Sequence, residues 1–416
     1  MAAAGIARDP VLDASPAFLR HGFEFVSRRC ERFGSDAFCT RLLGREVVCA
    51  LGEEAARVFY GHRLTRRDAV PRSAFSLLQD FGSVATLDGR EHRHRKRLFL
   101  ALAGADDLAR LRRLSDEEWL RAGERWRGRD RVVLLRAAEE LLCRVALAWS
   151  GIPLDDDGVR RRTRELSAMV DGAGSFGARN LRAQLLRRRS ERWARGVVRR
   201  IREGALDAPQ GSAARVLAEH RDLQGRPLEP SVAAVELLDV LRPTVAVARF
   251  AVFAAVALHA RPELRERLRE DDGLVEPFVQ EVRRFYPFFP AIGGRVVEPF
   301  SWRGRDFRRG SWFLLDLYGT NRDARIWERP HEFRPERFRD RAIGPYELVP
   351  QGGGEHETGH RCPGEWMTIE LVASASRALA RTLVYEVPPQ DLAIRPSRLT
   401  PRPRSGFVLR PGGGGR

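Results

Sequence analysis

Cys362 sits in the run Gln351–Trp366 (QGGGEHETGHRCPGEW), where a glycine-rich loop leads into an apolar helix expected from about Glu365. A sulfur held there is open on one side and faces helix amides and the positive helix end on the other. Both features favour the thiolate, the form that attacks electrophiles and binds metals. The competing reading is a buried structural cysteine at a helix start. Glu281 and Arg284, in FVQEVRRFYP, fall three apart on one face of a helix that Pro287 ends, so they can pair. Some fifty residues on, FRPERF (Phe333–Phe338) places Arg337 in a proline-bearing irregular segment. His92 and Lys96, in EHRHRKRLF, stand one helical turn apart. Arg242 and Pro243 interrupt the long apolar helix expected over Glu229–Ala260, which contains ELLDVLRPTVAVARF. An interior proline removes a backbone hydrogen bond at a cost of roughly 3 kcal/mol. Glu236, Asp239, Arg242 and Arg249 also fit a drifting polar face, yet a solvated face gives no reason for Pro243.

The elements that position these residues are mostly helical. Periodicity predicts helices over Glu53–Tyr60, Arg90–Ala103, Leu108–Trp126, Leu134–Ser150, Gly158–Asp171, Leu181–Glu203, Pro262–Glu270, Leu274–Tyr286 and Glu365–Leu383. Ala37–Leu42 and Glu46–Leu51 read as a hairpin turning at Gly44, and Phe300–Leu317 as a second β patch with turns at Gly304 and Gly310. With 416 residues, 43% of them apolar, and no internal linker or repeat, the chain reads as a single domain over 1–416 with a short flexible tail, 411–416. Five cysteines without metal-type spacing fit free thiols in a reducing cytoplasm. Neither a signal peptide nor a membrane anchor is expected, since no run reaches about 18 apolar residues. A net charge of +17 invites a nucleic-acid reading. Lys96 is however the sole lysine among 73 basic residues, which points to coding bias. The basic stretch Leu181–Gly204 reads as the solvated face of an amphipathic helix.

Taken in order, the E-x-x-R helix, the arginine-bearing meander and the Cys-x-Gly loop resemble the cytochrome P-450 superfamily. The resemblance implies a mainly α fold with small β patches. A haem b would lie between a long distal helix and a proximal loop, with Cys362 as the axial ligand of the iron. It also implies that Glu281, Arg284 and Arg337 brace the proximal side structurally. His92, Lys96 and His360 would bind the cofactor, and Arg66, in LTRRDAVP, would be a further propionate contact. Oxygen-activating members carry an acid–alcohol pair in the distal helix; here Arg242 and Pro243 fill that place. The usual glycine four before the cysteine is missing, and Gln351–Gly354 enlarge the loop. These departures resemble the bacterial fatty-acid peroxygenase branch, whose members hydroxylate or decarboxylate. TRLLG (Thr40–Gly44), LCRVA (Leu142–Ala146), GIPL (Gly151–Leu154), LLDLYGTN (Leu314–Asn321) and GHRCPGEW extend that likeness over nearly the whole chain.

In that branch the equivalent of Arg242 binds the carboxylate of a fatty acid, which then assists cleavage of hydrogen peroxide. The resemblance therefore implies a long-chain fatty acid as substrate, hydrogen peroxide as oxidant, and no redox partner, nucleic acid or membrane anchor. Phe81, Ala85, Val170, Ala173, Phe288 and Phe289 are the expected pocket residues. Ala85 stands where relatives carry Gln or His. Small residues there favour 2- and 3-hydroxy acids, with decarboxylation to a terminal alkene as a minor outcome. The alternatives are a dioxygen-dependent P-450 monooxygenase with redox partners, for which Thr244 lies one position on, and a haem-thiolate lyase or dehydratase of lipid hydroperoxides, which needs no Arg242.

Overall fold

In the computed structural model, residues 5–412 are described apart from 62, 66–68, 70–75, 79–81 and 176. Arg66 and Phe81 lie outside the described residues. At the centre run two helices, Pro230–Ala246 and Ala248–Ala260, separated only at Val247. The amide of Val247 is shared between the carbonyls of Pro243 and Thr244, both at 3.2 Å. Pro243 sits inside the first helix, and the single helix expected over Glu229–Ala260 is interrupted only at Val247. This stretch is apolar and long enough to cross a membrane, but 89% of its most apolar window is buried inside the protein. It is a core element. Around it pack Leu134–Trp149, Asp156–Ala173, Ala178–Arg202 and Glu365–Arg377, whose apolar faces merge into the largest hydrophobic cluster.

A six-stranded sheet forms the other layer, in the order Ala7–Arg8, Ala37–Leu42, Arg45–Ala50, Trp312–Asp316, Ala291–Val296 and Leu64–Thr65. The hairpin forms as expected, with Leu42 opposite Arg45. Leu43 and Gly44 both have positive φ, 52° and 72°, the turn geometry that matches strand twist. Trp312–Asp316 runs parallel to Arg45–Ala50 and antiparallel to Ala291–Val296. It delivers the chain to Asn321, at the back of the site described below.

Two expectations are corrected at the C-terminal end. The last helix stops at Arg377 and widens into a π turn, Ala378–Thr382, where Leu383 N donates to Ala378 O at 2.8 Å. The tail does not begin at 411. Val408–Pro411 is a strand between Val132–Val133 and Tyr385–Glu386, and Gly412 N donates to Val384 O at 2.8 Å.

Candidate active site

The loop before Cys362 is tied back on itself. Cys362 N donates to Gln351 O at 3.2 Å, and Gly364 caps the helix that starts at Glu365. Gln351 Nε2 lies 3.8 Å from Cys362 Sγ and 3.0 Å from Thr368 Oγ1, while its Oε1 accepts from Arg283 Nε at 3.2 Å. Arg283 also bonds Gln280 and Glu365. Glu365 accepts two further bonds from Arg361, at 2.6 and 3.1 Å. Burial pushes Glu365 up, but Arg283 and Arg361 pull it down to about 2. For Cys362 the balance differs: burial pushes the thiol up and Glu365 adds to this, against the Gly364 amide, Lys96 and Arg283. Without a metal, burial outweighs the contacts that favour the thiolate; a cation on the sulfur would favour the anion.

Glu281 and Arg284 are both fully buried, which removes the reading of an ordinary surface pair. Arg284 grips the carboxylate with Nε and Nη2 at 2.6 and 2.7 Å and gives Nη1 to the carbonyls of Asn321 and Pro330. Arg334 N donates to Glu281 at 2.7 Å, and Arg337 Nε lies 3.3 Å from it. The three expected residues therefore meet, joining the helix Val275–Phe285 to the meander.

His92, Lys96 and His360 also come together. The two imidazole rings are 4.0 Å apart, and His360 Nε2 is 3.5 Å from Asp88 Oδ1. Lys96, 1% exposed on the helix Gly89–Ala101, donates to the carbonyls of Gly359 and Arg361. Burial lowers its pKa to about 8, although Cys362 works the other way. Two of its three protons thus fasten the loop, a role the sequence did not suggest.

On the helix Pro230–Ala246, Arg242 is 6% exposed. Its Nη1 donates to Asp239 Oδ1 at 3.0 Å and to Leu77 O at 3.5 Å. Arg187, from Ala178–Arg202, donates to the same Leu77 carbonyl at 3.3 Å. One turn before Asp239, Glu236 accepts from Arg95 Nη1 at 2.7 Å and Val84 N at 2.9 Å. The hydroxyl of Thr244 donates back to Val240 O at 2.9 Å, so it is taken by its own helix. Ala85 sits half-buried in the turn Val84–Thr86. Val170 and Ala173 are buried on Asp156–Ala173. Phe288 stacks on Phe250, centroids 4.2 Å apart, and meets Phe289 edge-on at 5.1 Å. Gln351, Arg283 and Asp239 were missed as participants. Asp239 alone had a visible signal, its i,i+3 spacing to Arg242.

The family profile for Cytochrome P450 matches residues 256–370, which include Glu281, Arg284, Arg337 and Cys362. Taxane 10-beta-hydroxylase of Taxus cuspidata is 23% identical over 93% of this chain and 84% of its own length. Solved structures agree at higher identity. Cytochrome P450SP alpha (CYP152B1) in complex with (R)-ibuprophen is 43% identical over 96% of this chain and 98% of that one, TM-score 0.93. Cytochrome P450EX alpha (CYP152N1) with myristic acid is 40% identical over 97% and 98%, TM-score 0.94. Cytochrome P450 OleT in complex with arachidonic acid is 31% identical over 98% of each chain, TM-score 0.94. Such a family carries haem iron, and the donors here fit it. One soft sulfur stands on a braced loop, with the cationic and imidazole donors Lys96, His92 and His360 grouped beside it. No cluster of three His, Cys, Asp or Glu side chains occurs among the described residues to hold a bare ion instead. The chain belongs to the cytochrome P-450 superfamily, in the CYP152 branch with P450SP alpha and P450EX alpha, and is a haem-iron oxidoreductase.

Proposed function

We propose that the protein is a fatty-acid peroxygenase. It takes a long-chain fatty acid and hydrogen peroxide to the 2- or 3-hydroxy acid and water, on haem b ligated by Cys362. The single observation that carries this reading is Arg242–Pro243 in the buried, broken helix. A guanidinium stands where dioxygen chemistry needs an acid–alcohol pair, and the nearby Thr244 hydroxyl is bonded to Val240 O. Haem held through Cys362 would supply the redox iron needed to activate peroxide for oxygen transfer to carbon. Arg242 receives the carboxylate through the planar fork that matches it. The carboxylate then holds and returns a proton of the peroxide, the acid–base work this helix lacks. Head-group anchoring at Arg242 keeps the first two methylenes nearest the reacting atom, so position selects the product. Ibuprofen, myristic acid and arachidonic acid, the molecules named with the three similar structures, are all carboxylic acids.

With peroxide as the sole oxidant, myristic acid is turned over and methyl myristate and myristyl alcohol are not. Arg242→Ala lowers kcat/KM for the acid by about a hundredfold or more, the loss of a charge-assisted pair. Gas chromatography of the products reads hydroxy acids against alkene. Equal turnover of acid and ester would sink the reading.

A further inference from the structure

Arg242 already holds a carboxylate. Asp239 lies one helical turn away, with side-chain exposures of 9% for Asp239 and 7% for Arg242 and a 3.0 Å ion pair between them. A second acid, Glu236, lies a further turn back and is fully buried. Its Oε1 serves Arg95 and the Val84 amide, while Oε2 is buried without a hydrogen-bond partner among the described residues. We propose that Asp239 is a resident occupant of the head-group site. A fatty-acid carboxylate reaching Arg242 must share its fork with Asp239, and the Asp239–Glu236 pair takes up a proton as it does so. This rests on the reading of Arg242 as the carboxylate receptor.

The argument is one of charge. Two carboxylates on one arginine, away from water, cannot both stay ionised; one proton enters the group and belongs to it as a whole. Among the described residues, the nearby arginines already have carboxylate partners. On its own helix Asp239 faces Glu236 and Arg242. From Ala178–Arg202 comes Arg187, which is ion-paired to Glu191 at 2.8 Å. From Gly89–Ala101 comes Arg95, ion-paired to Glu236. Asp156–Ala173 carries Arg162 paired with Glu165, and Asp171 paired with Arg249. Burial, with Asp239 next, pushes Glu236 up to about 8, so a further anion nearby drives it toward the protonated form around pH 8. Proton uptake on binding means that affinity falls as pH rises, by about tenfold per pH unit where a full proton is taken up.

The test is calorimetry of the haem-loaded protein with decanoic acid at about pH 8, in two buffers of different ionisation enthalpy, so that the buffer dependence counts protons. The wild type takes up about one proton per acid bound. Asp239→Asn, nearly the same shape and uncharged, takes up close to none and binds about tenfold tighter. Asp239→Glu keeps the uptake, and decanol causes none. Decanoate binding to the wild type without proton uptake overturns the proposal and leaves the peroxygenase reading standing. Uptake that persists in Asp239→Asn overturns it too, since Glu236 would then act alone. Absence of decanoate binding in both wild type and Asp239→Asn overturns this proposal together with the reading it rests on.

Discussion

Two buried glutamates stand in the two halves of the site, and their surroundings push them in opposite directions. Glu365, beside Cys362, is held by Arg283 and Arg361 and brought down to about 2. Glu236, one turn from Asp239, has Arg95 as its cation and a second acid as neighbour, and is pushed up to about 8, chiefly by burial. The arginines differ likewise. Arg283 gives Nε, Nη1 and Nη2 to Gln351, Gln280 and Glu365. Among the described residues, Arg242 engages Nη1 alone. The sulfur side is thus closed, with charges fixed by internal partners, as an axial ligand must be held still. The Arg242 side keeps donor capacity and protonatable acids, as a surface that receives a charged guest must.

Breaking the closed half has the largest effect. Arg284→Leu strands Glu281 in a fully buried place and takes away the meander's anchor, so it costs about 3–5 kcal/mol of unfolding free energy. The same change at Arg242 also leaves a buried partner, Asp239, but removes one hydrogen-bonding nitrogen where Arg284 loses three, and costs less, about 2 kcal/mol. Denaturant titration of the two variants compares them directly. Similar losses would erase the distinction between a closed and an open half.

A finer probe is Gln351→Ala. It removes the amide that touches Cys362 Sγ and Thr368 and the acceptor of Arg283 Nε. Stability falls by about 1–2 kcal/mol. With one polar contact fewer, the sulfur gives more electron density to the iron, and the carbon-monoxide stretch of the ferrous protein moves to lower frequency. An unmoved stretch would mean that Gln351 holds the loop and leaves the sulfur untouched.

The two halves were unequally legible in sequence. The sulfur, Glu281, Arg284 and Arg337 announce themselves by order and spacing. Arg283 does not, because adjacent arginines look alike until the helix face is known. Arg242 stood out through Pro243, whereas Asp239 was read as part of a polar stripe; nothing in a single helix says whether a stripe faces water or a cavity. In the fold, the hairpin at Leu43–Gly44 was readable because its turn is local. The strand Ala291–Val296 was not, since AIGGRV lacks strand formers at its centre. Its glycines answer to tertiary crowding: a Cβ on Gly293 would stand 2.5 Å from Ala69 O, and one on Gly294 2.8 Å from Leu64 Cδ2. Val408–Pro411 pairs with strands far away in sequence, which periodicity cannot see.

The last comparison turns on a single proton. Glu236 has a folded-state pKa near 8, above its ordinary value of 4.5, with burial as the main cause and Asp239 adding. A carboxyl raised in this way contributes stability that is fully present below about pH 4.5. That contribution is lost as pH rises through about 8, because the unfolded chain releases the proton first. Glu236→Gln cannot ionise and keeps an oxygen for Arg95 and the Val84 amide. It should match the wild type in acid and lose less stability as pH rises from about 4.5 to about 8, the interval in which the unfolded chain has released the proton and the folded one still holds it. The corresponding change on the sulfur side, Glu365→Gln, goes the other way. There the carboxylate is pulled down to about 2, so the amide variant is the less stable one throughout the neutral range. Melting curves for both variants and the wild type, collected from acid to mildly alkaline pH, give the answer as differences. Parallel curves for wild type and Glu236→Gln would mean that Glu236 stays ionised beside Arg95, and the Arg242 half would then be as fixed in charge as the half around Cys362.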